Sequence, residues 1–351
     1  MASVTIPAAA DFHVHLRDGK MMETVVPTVR QGGVSIAYVM PNLVPPITSV
    51  DMALAYHARL QALDPSVVFL MTLYLSPAIT PEVIVAAAAT GKIAGVKSYP
   101  QGVTTNSDAG VVDYESFYPV FAAMEEHDLV LNLHGESPSR PDNDITILNA
   151  EESFLPTLLD LHKRFPKLRI VLEHCTTAAA VEAVKKCGPN VAATITAHHL
   201  YLTVDQWAGQ PHHFCKPVAK LPSDRQALLE AATSGNPKFF LGTDSAPHPR
   251  GAKEGSSCAA GVFTQPYAVQ YVATAFDREG KLDKLRAFVC EFGRAFYKTV
   301  EKGWEKEENV RRDGIVLEKD PGVEVVREIG QGDLKIVPFK AGEKVWGLRW
   351  L

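Results

Sequence analysis

Short apolar, β-branched runs alternate along the chain with longer segments of helical spacing. The runs predict eight strands, at 10–17, 35–42, 67–75, 93–99, 129–136, 169–175, 191–199 and 238–246. The segments between them predict helices near 22–31, 50–63, 81–90, 114–126, 151–164, 177–186 and 223–234. Thr80 is expected to cap the third helix, with Pro81 at its first position, and Ser223 or Asp224 the last. Eight strands, each followed by a helix, predict an α/β fold of the (β/α)8 TIM-barrel type.

The rest of the chain predicts an extension of this barrel. We expect a single domain over 1–351, with the barrel core at about 10–260 and a C-terminal extension at 261–351 packed on it. The extension is predicted to be helical to about 305 and β-like in "DLKIVPFKAGEKVWGLRW". The polar loop "PQGVTTNSDAG", 100–110, follows the fourth strand, which places it where barrel enzymes carry lids.

Composition narrows the class of protein without identifying it. The chain has 351 residues, 46% of them hydrophobic and 21% charged, a composition that argues against disorder. Its net charge is −5, and no basic block indicates nucleic-acid binding. Its five cysteines are scattered and form no CxxC, which favours reduced thiols. "MASVTIPAAADFHVHL" lacks the regions of a secretory signal, and no apolar run reaches the roughly 18 residues of a membrane span. A cytoplasmic protein without membrane partners is expected.

Polar residues occur where these strands should be apolar, at or near their C-terminal ends. They are His13, His15, Asn42, Lys97, His134, His174 and Asp244. A barrel brings the C-terminal ends of its strands together, so we expect these side chains to meet. Buried polar groups need partners, which makes a shared site the better interpretation of the set.

The stretch "DFHVHLR" suggests metal binding, although its spacing alone does not decide the matter. Strand side chains alternate, so His13 and His15 share a face toward the barrel axis, and Phe12, Val14 and Leu16 are expected to face the helices. Two imidazoles so placed suit zinc or a similar metal, or they are two satisfied core side chains. The other polar residues favour the metal.

Lys97 and Asp244 each allow more than one interpretation. A lysine beside metal ligands would be desolvated and repelled, so it either extends to the barrel edge, pairs with a carboxylate, or is neutral and captures CO2 as a bridging carbamate. Asp244 could ligate a metal and take a proton from bound water, or cap a loop.

Other polar side chains flank these positions. Arg17, Asn42 and His248 suit a clamp for a substrate carboxylate, with ordinary surface placement as the alternative. His198 and His199 end the seventh strand and are assigned no role.

Several segments together resemble one family over essentially the whole chain. "DFHVHLR", "MPN", "KSYPQGVTTN", "LHGE", "LEHCTT" and "LGTDSAPH" stand in the order and spacing of the dihydroorotases of the amidohydrolase superfamily, in their shorter, monofunctional class. HxH and the aspartate are common to the superfamily, whereas "KSYPQGVTTN" and "TDSAPH" are typical of dihydroorotases.

The resemblance implies a cofactor of two Zn²⁺ ions per subunit. One ion would be held by His13, His15, Lys97 and Asp244, and the other by Lys97, His134 and His174. Lys97, N6-carboxylated, would bridge the two ions together with a hydroxide.

The implied reaction interconverts N-carbamoyl-L-aspartate and L-dihydroorotate plus water, in pyrimidine biosynthesis. The hydroxide would attack the ring amide carbonyl, with Asp244 as general base and acid. The implied substrate contacts are Arg17, Asn42 and His248 at the carboxylate, Thr104 and Thr105 on the mobile loop, and Lys216 and Ala260.

Three further expectations follow from the family. The chain would form a homodimer. A related cyclic amidohydrolase (a hydantoinase, dihydropyrimidinase or allantoinase) is the alternative enzyme, and those substrates lack the carboxylate. A non-catalytic scaffold is a third possibility, but such a protein would be expected to have lost metal ligands, and none is lost here.

Overall fold

The computed structural model describes residues 3–306 and 314–351, and a parallel barrel dominates them. Eight parallel strands lie side by side in chain order, β2 to β9. The strands are β1 (Ser3–Pro7), β2 (Ala9–Val14), β3 (Val34–Val39), β4 (Val68–Tyr74), β5 (Ile93–Ser98), β6 (Val130–His134), β7 (Ile170–Glu173), β8 (Val191–Ile195), β9 (Phe239–Leu241), β10 (Gly314–Glu324) and β11 (Lys344–Trp350). The predicted (β/α)8 barrel is confirmed.

Helices connect the barrel strands and cover the outside of the sheet. They are α1 (Gly19–Val25), α2 (Pro27–Gln31), α3 (Val50–Leu63), α4 (Pro81–Ala89), α5 (Tyr118–Glu126), α6 (Ala150–Arg164), α7 (Ala178–Lys186), α8 (Val204–Trp207), α9 (Pro222–Thr233), α10 (Arg250–Glu254), α11 (Ala268–Arg278) and α12 (Phe292–Tyr297). Short 3-10 turns and one π-helical turn (Ala287–Glu291) complete the helical segments. Among the described helices, none combines the length and apolarity that a membrane crossing requires.

Local signals account for most helix boundaries. Thr80 caps α4 as predicted, because its hydroxyl accepts from the Val83 amide at 3.4 Å, and Pro81 takes the first position. The predicted cap of α9 is wrong: the helix begins at Pro222, and Asp224 lies in its first turn, where it accepts from the Leu221 amide at 3.2 Å. The predicted helix 22–31 is two helices that meet at Val26, because Pro27 cannot donate to the preceding turn.

The sheet closes through the loop after β9 and not through a full strand ladder. Val14 forms a parallel bridge with Ser245, and the amide of His15 donates to the Ser245 carbonyl at 3.0 Å. The amide of Asp244 donates to the His13 carbonyl at 2.9 Å. This closure joins the first and last barrel strands at their C-terminal ends.

Two buried layers stabilise the barrel. The larger lies between the sheet and the helices, and the smaller fills the barrel interior with residues from all eight strands. Phe12 belongs to the interior layer and stacks on Tyr297 of α12, with ring centroids 4.5 Å apart. The prediction that Phe12 faces the helices is therefore wrong. The ladder from β2 to β3 shifts register between Asp11 and Val14, and the extra residue lets both Phe12 and His13 be buried inside.

A small antiparallel sheet joins the two chain ends. β1 pairs with β10, and β10 pairs with β11. Ile315 and Trp346 belong to the same buried cluster as the outer barrel layer, and the Trp350 indole donates to the Arg30 carbonyl at 3.0 Å. The predicted tail strand begins only at Lys344, and residues 307–313 of the predicted extension lie outside the described part of the chain. The division into core and extension stays a prediction.

Candidate metal and substrate site

A small cavity opens at the C-terminal ends of the barrel strands. Its wall consists of His13, His15, Arg17, Asn42, Tyr99, Thr104, Thr105, His134, His174, Lys216, Asp244, Ala246, Ala260 and Gly261. The structure therefore brings together the residues singled out in the sequence from strands far apart in the chain. Two of them, Lys97 and His248, are not part of this wall. Lys97 lies next to Tyr99, and His248 contacts Arg17 and Ala260.

The histidines and Asp244 form a tight buried cluster. Asp244 Oδ1 lies 3.1 Å from His15 Nε2 and 3.4 Å from His13 Nε2. The ring centroid of His174 lies 4.9 Å from that of His13 and 4.7 Å from that of His134. One ligand atom each from His13, His174 and Asp244 falls within 4.8 Å of the other two, a separation that a single metal ion can span.

Lys97 is fully buried at the end of β5, and its ammonium is not paired. Among the described residues its Nζ has no hydrogen-bond partner. The Nζ atom lies 4.9 Å from the centroid of the Tyr99 ring. Burial lowers the pKa of Lys97 below its ordinary value, while the fields of Glu173 and Asp244 oppose that change. The predicted alternatives of extension to the barrel edge or a direct carboxylate pair are therefore not what the structure shows.

The donor set fits a metal ion. The buried His13 Nε2, His174 Nδ1 and Lys97 Nζ have no hydrogen-bond partner in the described part of the chain. Burial is the largest cause that lowers the pKa values of His13, His15, His134 and His174, so these rings are neutral and offer lone pairs. Burying several neutral imidazoles and a carboxylate together destabilises the folded protein unless a ligand such as a metal ion pairs with them.

Partners outside the cluster hold the rings in place, and two of them escaped the sequence analysis. Glu173 Oε2 lies 2.8 Å from His13 Nδ1 and accepts from Thr194 Oγ1 at 2.6 Å. Glu136 Oε2 lies 2.8 Å from His134 Nε2. A carboxylate behind a histidine fixes its tautomer and leaves the other nitrogen free for a metal. The sequence offers a signal for both, since Glu173 directly precedes His174 and Glu136 follows His134 by two residues.

Backbone strain concentrates in the same place. Arg17, His174 and Asp244 have φ values of +60°, +41° and +48°, in the left-handed region that side chains other than glycine rarely adopt. Such conformations persist where the surroundings impose them, and they are typical of functional sites. Gly242 is also required here, because a Cβ would lie 2.7 Å from Thr194 Cβ and 3.0 Å from His13 Cβ.

Arg17 brings a positive charge to the wall of the cavity. Arg17 Nε donates to the Pro247 carbonyl at 2.9 Å, and its Nη2 lies 3.1 Å from His248 Nε2. Burial lowers the pKa of Arg17 to about 10, which leaves it protonated at neutral pH. The pKa of His248 falls to about 3 through burial and the neighbouring guanidinium, so that ring is neutral. Its Nε2 also lies 2.9 Å from the Ala260 carbonyl, which favours the tautomer that donates there.

The polar loop 100–110 closes one side of the cavity. Asn42 Nδ2 donates to the Thr105 carbonyl at 3.3 Å, while Asn42 Oδ1 lies 2.7 Å from His15 Nδ1. Lys216 Nζ donates to the Val103 carbonyl at 3.0 Å. Asn42 thus connects the metal-side histidine to the loop, and Thr104 and Thr105 line the cavity as a result.

Comparisons with known proteins show the family to which the chain belongs. The sequence model of the family described as Amidohydrolase matches residues 41–221. The fold and the site thus define a member of the amidohydrolases, enzymes with a metal-dependent barrel site. A probable dihydroorotase from Schizosaccharomyces pombe is 63% identical over 84% of this chain and 87% of its own. The chain belongs to the dihydroorotase family.

Solved structures of dihydroorotases and of hydantoinases resemble the chain to different degrees. The crystal structure of dihydroorotase from Saccharomyces cerevisiae in complex with 5-fluoroorotic acid matches with a TM-score of 0.94 and 48% identity, over 100% of this chain and 99% of that one. An L-hydantoinase (dihydropyrimidinase) from Arthrobacter aurescens matches with a TM-score of 0.79 but only 19% identity, over 92% of this chain and 78% of that one. The second likeness extends to the fold alone.

Proposed function

We propose that the chain catalyses the reversible cyclisation of N-carbamoyl-L-aspartate to L-dihydroorotate and water, a step of pyrimidine biosynthesis. One observation carries the proposal: the same buried cavity holds the histidine–aspartate cluster on one side and the Arg17 guanidinium on the other. A cyclic amide with a carboxylate on its ring needs both, one for the carbonyl to be attacked and one for the anion. The hydrolase activity expected of the family supports this assignment.

The metal content is part of the proposal. His13, His15 and Asp244 would hold one Zn²⁺, His134 and His174 the other, and a carboxylated Lys97 would bridge them. The buried, unpaired amine of Lys97 supports this role, because a neutral amine can add CO2 and the resulting anion offsets the charge of nearby cations. When bound, the ions supply Lewis acidity toward the carbonyl oxygen and lower the pKa of water.

The chain's own residues then orient the substrate and move a proton. Arg17, with Asn42 and His248, would bind the carboxylate, and Thr104 and Thr105 would cover the ring and exclude water. Asp244 would take the proton of the attacking water at Oδ1 and give it to the ring nitrogen as the amide bond breaks. The transfer is balanced, since water supplies the hydroxyl to the new carboxylate and its proton to the nitrogen.

Arg17→Met separates this substrate from the cyclic ureides that lack a carboxylate. We expect kcat/KM for dihydroorotate to fall about 100-fold, equivalent to about 3 kcal/mol for a lost charge-assisted contact. Whatever rate the same preparation shows with dihydrouracil, which lacks the carboxylate, should not change. Arg59→Met is the matched control, because Arg59 is exposed and pairs with Asp18 at 2.9 Å outside the cavity. An equal loss of kcat/KM for both substrates would contradict the proposal that Arg17 binds the substrate carboxylate.

Lys253 holds the main chain on this side of the cavity. Its buried ammonium donates to the carbonyls of Phe214, Ala259 and Gly261 at 2.8, 2.7 and 2.7 Å. These carbonyls lie close in the chain to Lys216 and Ala260, two of the cavity residues that the sequence placed only through the family resemblance. One cation therefore fixes two loop segments against each other.

Lys253→Met should raise KM for dihydroorotate about tenfold while kcat changes less, because the segments lose their shared anchor. Lys238→Met is the matched control. Lys238 also donates to four carbonyls, those of Val184, Cys187, Gly188 and Val191, but away from the cavity. Both variants should lose about 2 kcal/mol of unfolding free energy, and only the first should change KM. A KM shift in both, or in neither, would contradict this role.

The homodimer and the cytoplasmic location stay predictions. Sedimentation of the purified chain at micromolar concentration checks the first, with a mass of two chains expected.

A further inference from the structure

A second group of ligand-type side chains lies beside the candidate site and is not used by the proposed reaction. His198, His199 and Cys215 each offer one atom, and the three atoms fall within 4.8 Å of one another. All three side chains are buried, with at most 1% of their surface exposed. None of them lines the substrate cavity.

The two sulfur–nitrogen distances in this group match those between ligands on a tetrahedral ion. Cys215 Sγ lies 3.5 Å from His198 Nε2 and 3.6 Å from His199 Nε2. Zinc bonds of about 2.3 Å to sulfur and about 2.0–2.1 Å to nitrogen place tetrahedral sulfur and nitrogen ligands about 3.6 Å apart. Two histidines and one cysteine are a donor set that selects zinc or another borderline or soft divalent ion.

Hydrogen bonding within the group is weak and leaves one ring nitrogen unpaired. Cys215 Sγ donates its single proton to the Pro217 carbonyl at 3.2 Å, so toward the two rings it can act only as a weak acceptor. The Nδ1 atom of His198 has no hydrogen-bond partner among the described residues, although the ring is fully buried. His199 is held at both ring nitrogens, because its Nδ1 lies 2.9 Å from Thr196 Oγ1 and its Nε2 lies 3.2 Å from the Pro217 carbonyl. An ion on Nε2 would replace the contact with Pro217, while the contact at Nδ1 would orient the ring.

The electrostatic state of the rings agrees with this role. Burial lowers the pKa of His199 to about 4 and that of His198 well below its ordinary value, so both are neutral. Burial raises the pKa of the Cys215 thiol, so an ion would enter by displacing its proton.

We propose that His198, His199 and Cys215 form a further metal site, for a single zinc-like divalent ion, distinct from the cluster of His13, His174 and Asp244. The ion would join the turn after β8 to the segment that carries Lys216. Because Lys216 lines the substrate cavity and holds the loop at Val103, an ion here would fix that segment.

Cobalt substitution tests the site without relying on the proposed function. Chelator-treated protein is titrated with Co²⁺ under reducing, oxygen-free conditions, and the near-ultraviolet spectrum and the bound cobalt are measured. A thiolate bound to Co²⁺ gives a charge-transfer band, and the other cluster contains no sulfur. We expect the band to grow to one equivalent per chain in the unmodified protein, whatever the other cluster binds.

Variants assign the band to one cysteine. Cys215→Ser should lose it and bind one ion fewer, whereas Cys258→Ser, at a half-buried cysteine elsewhere in the loops, should keep it. If Cys215→Ser fails to fold, His198→Gln and His199→Gln take its place, with about tenfold or greater loss of affinity expected for the ion that gives the band. Absence of the band in the unmodified protein, its persistence in Cys215→Ser, or its loss in Cys258→Ser would overturn the proposal.

Discussion

Lys97→Met lowers kcat for dihydroorotate by about 1000-fold or more and leaves the metal sites incompletely filled. Methionine matches lysine in length but cannot add CO2, so the bridging anion that we propose would be lost. Metal content by mass spectrometry and kcat at saturating substrate, measured on the same sample, check this outcome.

The stability of the same variant separates a metal role from a structural one. Lys97 is 0% exposed and its ammonium has no hydrogen-bond partner among the described residues. Its burial therefore lowers the free energy of unfolding of the metal-free protein. The free energy of unfolding of the metal-free protein should therefore be unchanged or higher in Lys97→Met. Lys92→Met, at the exposed start of the same strand region, is the control for both measurements. A destabilised variant with normal kcat would contradict the bridging role.

Asp244→Asn lowers kcat by about 1000-fold, within the range of general acid–base catalysis. Asparagine keeps the shape of the side chain and its contact with His15, but it cannot accept and return a proton. The comparison is made at a zinc concentration that saturates the variant, because Asp244 is also a proposed ligand. Full metal content with a low kcat is the expected combination. Restoration of kcat by zinc alone would leave Asp244 as a ligand only.

The apolar runs located the barrel strands well, because buried parallel strands are continuous and β-branched. The predicted start of each strand lies within one residue of the observed start. The ends were predicted too late: β8 stops at Ile195 and β9 at Leu241, whereas the runs extended to 199 and 246. In these stretches, "TAHH" and "GTDSA", the chain has already left the sheet, and the positive φ at Asp244 cannot be inferred from the residue type.

Long-range contacts explain the features that the sequence did not indicate. β1 was not predicted because its partner β10 lies some 300 residues away in the chain. Phe12 was assigned to the wrong face because a register shift in β2 breaks the simple alternation of strand side chains. Glu173 and Glu136 stand close to histidines in the sequence, but only the fold shows that Glu173 contacts His13, which is 160 residues away, and that Glu136 contacts His134.

The most direct test of the account is hydrolysis of L-dihydroorotate by the purified chain before and after its metal is removed. Metal-replete protein should hydrolyse the ring and also form it from N-carbamoyl-L-aspartate, both activities should disappear with the metal, and zinc with bicarbonate should restore them. Protein that contains two zinc ions per chain in the His13–Asp244 cavity but turns over neither compound would contradict the account.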